Sequence, residues 1–177
     1  VIGFKDVKIN DILRENYLMI ALDRINDPGN MGTIIRTADA AGASAVIIGK
    51  GCVDVYNPKV VRSAMGSLFH VPLLHTDDII ETLNELRKNG GRIVTTHLKA
   101  DKYYYEADCS GDTIIVMGAE DDGVSEEIAQ ISDELVKIPM PGDAESLNVA
   151  IAHGIIAFEA VRQRIGTKSK PSPFTCK

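Results

Sequence analysis

The chain has 177 residues, of which 45% are apolar and 25% are charged, and its formal net charge is −6. This length and composition are typical of one globular domain with a sizeable core. No apolar run approaches the roughly 18 residues of a membrane span, and the acidic balance argues against a broad nucleic-acid-binding surface.

The cysteines and histidines indicate neither disulfides nor a metal site. Cys52, Cys109 and Cys176 are odd in number and lack metal-ligand spacing, which predicts reduced thiols in a cytoplasmic protein. The four histidines show no such spacing either, so we expect each to be structural or solvated. The sequence begins with Val1 instead of Met, and we expect a further segment upstream of it.

The start of the chain predicts one strand and one helix. Residues 1–17 mix charges without clear alternation, which predicts a linker or edge segment. The continuous apolar run over residues 17–22 predicts a parallel strand that is covered on both faces. A polar loop over residues 26–30 then leads into a helix with apolar side chains at helical spacing, and Gly42 ends that helix.

The same strand–helix unit recurs along the rest of the chain. Further strands are predicted over residues 45–48, 71–74, 92–98, 113–117 and 135–140, and further helices over residues 58–67, 78–88, from Ser125 onward, and 149–164. This alternation predicts an α/β domain with a mostly parallel sheet flanked by helices, over residues 18–165. Residues 166–177 contain two prolines and three lysines, which predicts a flexible tail.

The last predicted helix is apolar on nearly every side. Its apolar residues include Val149, Ile151, Ile155 and Phe158. A helix of this kind has to be buried on every side, either by the domain core or by a second subunit.

Three polar, glycine-containing segments lie where strands of the predicted sheet end. They cover residues 26–36, 117–125 and 138–149, at the edge where parallel sheets bind ligands. None of them contains a dinucleotide fingerprint or a phosphate loop, which argues against an oxidoreductase or a nucleotide hydrolase.

The first segment allows two interpretations. Gly29, Gly32, Thr33 and Arg36 are three or four residues apart, so they share one helix face with a shallow floor below a guanidinium. The alternative is that Asn30 only caps the helix and Arg36 pairs with a surface acid.

The other two segments are equally open to two interpretations. Gly118 ends a buried strand, where the missing side chain allows a ligand to approach the backbone. Glu120 follows in an acidic turn and is either a site residue or an exposed carboxylate. Ser146 and Asn148 cap the last helix, bind a ligand, or do both.

Taken together, these segments resemble the three motifs of the SpoU/TrmH family of RNA methyltransferases, within the SPOUT (α/β-knot) superfamily. The resemblance spans about residues 18–164. Its residues are Asn30, Gly32 and Arg36, then Gly118, Glu120 and 123–125, then 138–140, Gly142 and 146–149. Residues 63–67 ahead of 70–72 are also similar to the family, whereas Asp121 stands where the family often has glycine.

The resemblance implies features that no periodicity reveals. It implies a deep trefoil knot formed by the C-terminal part of the catalytic domain. It also implies a homodimer with active sites at the subunit interface, and an RNA-binding domain upstream of the sequence.

The activity implied by the resemblance is methyl transfer from S-adenosyl-L-methionine to a ribose 2′-hydroxyl of ribosomal or transfer RNA, without a metal. The residues expected to contact the methyl donor are Thr96, Leu98, Gly118, Ile138, Met140 and Leu147.

The same resemblance assigns the catalytic residues. Arg36 is expected to stabilise the developing alkoxide and to anchor a phosphate, because a guanidinium stays protonated at neutral pH and is a poor base. Its expected partners in orienting the ribose are Asn30, Glu120, Ser146 and Asn148. The alternatives are a knotted methyltransferase acting on an RNA base and an inactive RNA-binding module of the same fold.

Overall fold

A computed structural model describes residues 9–13, 15–119 and 121–167 of the chain. Its elements in chain order are α1 (Ile9–Ile12), β1 (Leu18–Leu22), α2 (Pro28–Ala40), β2 (Ala45–Gly49), α3 (Pro58–Ala64), β3 (Leu73–Thr76), α4 (Ile79–Lys88), β4 (Arg92–Thr96), β5 (Lys102–Tyr103), β6 (Thr113–Met117), α5 (Glu126–Ile131), β7 (Glu134–Lys137) and α6 (Val149–Thr167). Short 3-10 turns cover Ser67–Phe69 and Tyr104–Glu106.

The seven strands of the described chain form one sheet in which every neighbouring pair is parallel. The strand order across the sheet is β3-β2-β1-β6-β4-β7-β5. Every residue of β1, β2 and β6 is buried, because helices cover both faces of the sheet. The α/β class with a parallel sheet, predicted from the alternation of elements, is therefore confirmed.

Alternate side chains of β1 belong to two separate cores. Leu18, Ile20 and Leu22 pack with apolar residues of α2, α3 and α6 on one face. Met19 and Ala21 pack with apolar residues of α4 and α5 on the other face. The continuous apolar run of β1 thus supplies both cores at once, as period-two alternation in a doubly covered strand requires.

Several element boundaries differ from the predicted ones. Strand β3 starts two residues late, at Leu73, because the Ser67–Phe69 turn and Pro72 occupy the preceding chain. Strand β7 ends at Lys137, ahead of two prolines that lack the N–H group a ladder needs. The two-residue strand β5 was not predicted, since it is too short to show a period and is defined by its pairing with β7.

The ends of the chain add two details. Helix α1 lies within the predicted linker of residues 1–17, and α6 continues two residues beyond the predicted end of the domain at residue 165. Most of residues 1–17 and 166–177 lies outside the described residues, so the predicted domain boundaries stay predictions. Among the helices of the described chain, none combines the length and apolar character needed to cross a bilayer.

Helix α6 runs beside α2 from one edge of the sheet to the other. Its C-terminal end is anchored by Arg164, whose guanidinium donates to the carbonyl oxygens of Cys109 at 2.9 Å, Gly111 at 2.6 Å, Asn16 at 3.0 Å and Tyr17 at 3.1 Å. One side of the helix is not covered by the residues that the structure describes. Its exposed apolar side chains are Ile151, Phe158 and Ile165.

Candidate active site

Helix α2 is capped by Asp27, and not by Asn30 as the alternative from sequence had it. The Oδ1 atom of Asp27 accepts the backbone N–H of Asn30 at 2.8 Å, and Pro28 occupies the first helical position. This hydrogen bond is the largest cause that lowers the pKa of the Asp27 carboxyl below its ordinary value. The side chain of Asn30 is therefore not used for capping, because Asn30 lies inside the first turn.

The amide groups of Asn30 and Asn148 join two of the three predicted motifs, although the residues are 118 positions apart in the chain. Asn148 Nδ2 donates to Asn30 Oδ1 at 2.9 Å. The oxygen of the same Asn148 side chain accepts the N–H groups of Ala150 at 3.0 Å and Ile151 at 3.3 Å. Asn148 thus caps α6, as one interpretation predicted, and also contacts the first motif. Binding of a ligand by Asn148 stays a prediction.

Arg36 lies on the outer surface of α2. Its side chain is exposed, and within the described residues no ion pair or hydrogen bond of its guanidinium is found. The alternative that Arg36 pairs with a surface acid therefore has no support in the described chain. An exposed guanidinium without a protein partner is available to a phosphate or an alkoxide.

The shallow floor predicted around Gly32 is wrong. Gly32 is buried, and a Cβ atom there would overlap the hydroxyl of Ser63 and lie 2.7 Å from the carbonyl oxygen of Val60. Glycine is needed because α3 packs directly on α2 at this point. The hydroxyl of Thr33 donates to the carbonyl oxygen of Gly29 at 2.8 Å, so it serves the helix itself.

The residues predicted to bind a methyl donor lie at the carboxyl ends of three adjacent strands. Strand β4 lies between β6 and β7, with Thr96 opposite Val136 and Thr95 opposite Val116. Thr96, Gly118 and Ile138 therefore lie at one edge of the sheet. Further along the same edge, the side chain of Leu98 is 75% exposed, and Met140 and Leu147 are half-buried.

Packing within the chain explains why residue 118 is a glycine, and this explanation differs from the one inferred from sequence. A Cβ atom on Gly118 would overlap the backbone of Gly123 and Val124. The missing side chain makes room for the chain's own turn, in which Ala119 and Gly123 form a bridge. Contact between a donor and the Gly118 backbone stays a prediction.

The remaining predicted site residues have fewer described contacts. Ser146 belongs to the stretch 141–146, in which every side chain is exposed. Glu120 lies outside the described residues. Ser125 caps α5 as predicted, since its hydroxyl accepts the N–H of Ile128 at 3.4 Å. The structure brings Asn30 and Asn148 together, with Ser146 two residues upstream along the chain.

Two polar residues lie in the interior, of which sequence reasoning missed Asp23 and left His153 open as structural or solvated. Asp23 is 5% exposed and directly follows β1. His153 on α6 is fully buried, and within the described residues neither of its ring nitrogens has a hydrogen-bond partner. Burial lowers the pKa of His153 to about 4, so the imidazole is neutral at pH 7. Asp23 could have been found from the sequence, because a charged residue directly follows the apolar run of β1.

Metal ligation finds no support at this site. Among the residues that the structure describes, no three His, Cys, Asp or Glu side chains are grouped as metal ligands.

The family model described as the SpoU rRNA Methylase family matches residues 17–158. The 23S rRNA (guanosine-2′-O-)-methyltransferase RlmB of Vibrio parahaemolyticus serotype O3:K6 is 41% identical over 162 residues. The match covers 90% of this chain and 66% of that relative, so the chain spans less than two thirds of its length.

Solved structures show the same fold. The SpoU methyltransferase AviRb from Streptomyces viridochromogenes, in complex with the cofactor AdoMet, matches with a TM-score of 0.84 and 39% identity, over 90% of this chain and 65% of that one. The A. aeolicus TrmH/SpoU tRNA modifying enzyme matches with a TM-score of 0.78 and 34% identity, over 86% of this chain and 78% of that one. Because the family model covers most of the sequence, this chain belongs to the SpoU rRNA Methylase family.

Proposed function

We propose that this protein transfers a methyl group from S-adenosyl-L-methionine to a ribose 2′-hydroxyl of ribosomal RNA in the cytoplasm. The hydrogen bond between Asn148 and Asn30 carries the proposal, because it joins the first and third motifs, and the first motif also holds the exposed Arg36. The relative RlmB is named a 23S rRNA 2′-O-methyltransferase, and the AviRb structure contains AdoMet.

The donor fits the carboxyl ends of β4, β6 and β7. The side chains of Leu98, Ile138 and Met140 supply apolar surface of the kind an adenine ring covers, and the polar edge of an adenine suits backbone groups. Thr96, Gly118 and Leu147 complete the proposed donor-binding set. When bound, the donor supplies an electrophilic methyl group on a positively charged sulfur.

The acceptor side belongs to α2 and the start of α6. A ribose hydroxyl is a weak acid, so the site has to favour the alkoxide that forms as the methyl group is transferred. Arg36 would stabilise that alkoxide and bind the neighbouring phosphate. Asn30, Asn148, Ser146 and Glu120 would orient Arg36 and the ribose, with Asn30 and Asn148 already held against each other.

We also propose the deep C-terminal knot that the resemblance implies. Strand β7 lies between β4 and β5, and α6 then returns across the sheet to α2. This path is consistent with a last segment that passes through an earlier loop. Stretching the chain by its two ends tests the knot, since a knotted chain reaches a shorter full extension than the roughly 3.3–3.6 Å per residue of an unknotted one.

A homodimer is proposed on the exposed side of α6. Ile151, Phe158 and Ile165 expose 57%, 48% and 48% of their surfaces on one helix, which is a large apolar area for an unpartnered element. Sedimentation equilibrium of the wild type and of Phe158→Glu tests this proposal. A wild-type monomer would contradict it.

The activity is tested in two steps. Calorimetric titration with S-adenosylhomocysteine should show saturable binding at about one site per subunit. Transfer of a labelled methyl group from the donor to a 23S rRNA transcript should then be measured, with a transfer RNA transcript in parallel. A methylated ribose blocks alkaline cleavage of the adjacent phosphodiester, whereas a methylated base does not.

Each outcome of this assay separates the candidates. Label in a base would favour a knotted methyltransferase acting on bases. RNA binding without donor binding would favour an inactive RNA-binding module. Transfer RNA is the second substrate candidate, because the A. aeolicus structure, of which this chain covers 78%, is that of a tRNA modifying enzyme.

A further inference from the structure

Two consecutive charged residues follow β1 and bind each other. Arg24 donates from Nε and Nη2 to the two carboxylate oxygens of Asp23, each at 3.1 Å. Asp23 is nearly buried, and Arg24 is one of few described residues other than glycine with a left-handed backbone, at φ 57°. A buried carboxylate with a bidentate guanidinium partner is a rigid unit.

This pair also binds the turn that follows β6. Asp23 Oδ2 accepts the N–H of Ser125 at 3.0 Å, and Arg24 Nη2 donates to the carbonyl oxygen of Gly123 at 3.2 Å. The N–H of Asp23 donates to the carbonyl oxygen of Met117 at 2.9 Å, just before the turn. The end of β1 is thus tied to both sides of the turn.

The loop after β2 supports the stem of Arg24. A Cβ atom on Gly51 would lie 3.2 Å from Arg24 Cγ, and Gly51 itself has a φ of +89°. The backbone of Gly51 therefore packs against the aliphatic stem of Arg24, and a side chain at position 51 would crowd this contact. Its orientation toward Gly123 follows from this packing together with the left-handed backbone of Arg24.

The turn transmits this constraint to the proposed donor site. Gly118 packs on the backbone of Gly123 and Val124 so closely that no Cβ atom fits between them. Any displacement of Gly123 therefore moves Gly118, the residue that directly follows the carboxyl end of β6. We propose that Asp23 and Arg24 are positioning residues that hold Gly118 in place for the methyl donor, an inference that rests on the proposed function for the identity of that donor.

The variant that tests this proposal is Arg24→Asn. Asparagine accepts a left-handed backbone more readily than most residues, so the variant removes the guanidinium without new strain. A matched control exists at the opposite edge of the sheet. Arg87 Nη2 lies 2.6 Å from Asp133 Oδ1, and Asp133 accepts a backbone N–H from Ile93 at 2.9 Å. Arg87→Asn therefore breaks a comparable pair far from the donor.

Calorimetry with S-adenosylhomocysteine is the first measurement. We expect Arg24→Asn to bind about ten-fold more weakly than wild type and Arg87→Asn to bind as wild type does. Arg24→Lys, which keeps a cation near Asp23, should recover part of the loss, and the KM for RNA should stay unchanged in all three. Wild-type affinity in Arg24→Asn, or an equal loss in Arg87→Asn, would overturn the proposal.

Amide hydrogen exchange separates this inference from the proposed function. If the wild type binds no S-adenosylhomocysteine, the proposed function fails, but the clamp is still tested by the exchange rate of the Ser125 amide. That rate should rise at least ten-fold in Arg24→Asn and stay unchanged in Arg87→Asn. Equal protection in wild type and Arg24→Asn would show that the pair does not hold the turn.

Discussion

The two edges of the sheet carry the same kinds of polar side chain but differ in how many of them bind other groups of the protein. At the amino ends of the strands, charged groups bind other protein groups. Arg92 and Lys102 both pair with Glu134, and the Asp112 carboxylate accepts the N–H of Tyr17 at 2.9 Å. At the carboxyl ends, Asp23 and Arg24 also bind each other, but the stretch 141–146 is exposed, as is Arg36 on α2.

A cleft illustrates the difference. A surface cleft of about 470 Å³ lies at the amino edge and is lined mostly by charged residues. Its cations are paired with its own acids, Arg87 with Asp133 and Arg92 and Lys102 with Glu134. Groups that already neutralise each other have little to offer a ligand, so cleft volume does not identify the site here. The edge with exposed polar side chains, such as those within residues 141–146, is the one available for chemistry.

Changes at the carboxyl edge should therefore alter catalysis, and changes at the amino edge should alter stability. The largest expected effect is that of Arg36→Ala. Loss of the cation that stabilises the alkoxide should lower kcat by about a thousand-fold. Binding of S-adenosylhomocysteine and the unfolding midpoint should both stay unchanged.

Arg62→Ala is the matched control for Arg36, because Arg62 is also exposed and lies on the neighbouring helix α3. Methyl transfer to the 23S rRNA transcript is the measurement for both variants. Retained activity in Arg36→Ala, or an equal loss in Arg62→Ala, would contradict the role assigned to Arg36.

Arg164→Met should have the largest effect on stability. The guanidinium donates to four backbone carbonyls that join α6 to β1 and to the segment before β6. Its loss should lower the free energy of unfolding by about 3 kcal/mol in urea titrations. Arg162→Met should change it by less than about 1 kcal/mol, because Arg162 pairs with Glu159 at the surface. Similar losses in both variants would argue against the anchor.

His153 should make stability depend on pH. Its pKa is about 4 in the fold and 6.5 in the ordinary case, because burial disfavours the imidazolium. The unfolded chain takes up the proton first, so this contribution to stability is complete above pH 6.5 and is lost as pH falls toward 4. Between about pH 7 and 5, the free energy of unfolding should fall by about 2 kcal/mol from this group.

His153→Leu should remove that part of the pH dependence, whereas His75→Gln, at an exposed histidine, should retain it. Urea titrations at several pH values provide the measurement. An unchanged pH profile in His153→Leu would mean that the imidazole stays unprotonated in both states or finds a partner in the fold.

Asn148 should give the smallest effect on stability, although it lies at the catalytic edge. Asn148→Ala removes the cap of α6 and should cost about 1 kcal/mol. Asn148→Asp keeps an oxygen for the N–H groups of Ala150 and Ile151, so thermal unfolding should match that of wild type. Activity should fall in both variants, because only the native amide donates to Asn30. Full activity in Asn148→Asp would show that this hydrogen bond is dispensable.

Sequence patterns predicted the features of the fold that depend on residues close together in the chain. The central strands β1, β2 and β6 were found within one residue, because burial on both faces requires continuous apolar runs. One of the two interpretations of the first segment gave the cap of α2 to Asn30, whereas the cap is Asp27, next to Pro28 in the first helical position.

The sequence could not explain residue choices that depend on contacts with residues far away in the chain. Gly32 is small because of Ser63, and Gly118 because of Gly123 and Val124, and neither contact leaves a periodic signal. The approach of Asn148 to Asn30 was expected only from the resemblance to a known family, since no spacing rule connects residues so far apart. Residue types at a site can be inferred from motifs, but their partners come from the fold.

The two ends of α6 have a consequence for synthesis on the ribosome. Its start binds Asn30 and its end binds the carbonyl groups of Asn16, Tyr17 and the segment before β6, all of which leave the ribosome earlier. The helix can dock only after those partners are in place, which makes its docking a late and slow event. Until then the apolar side of α2 stays uncovered, so we expect nascent chains stalled before α6 to be retained by chaperones.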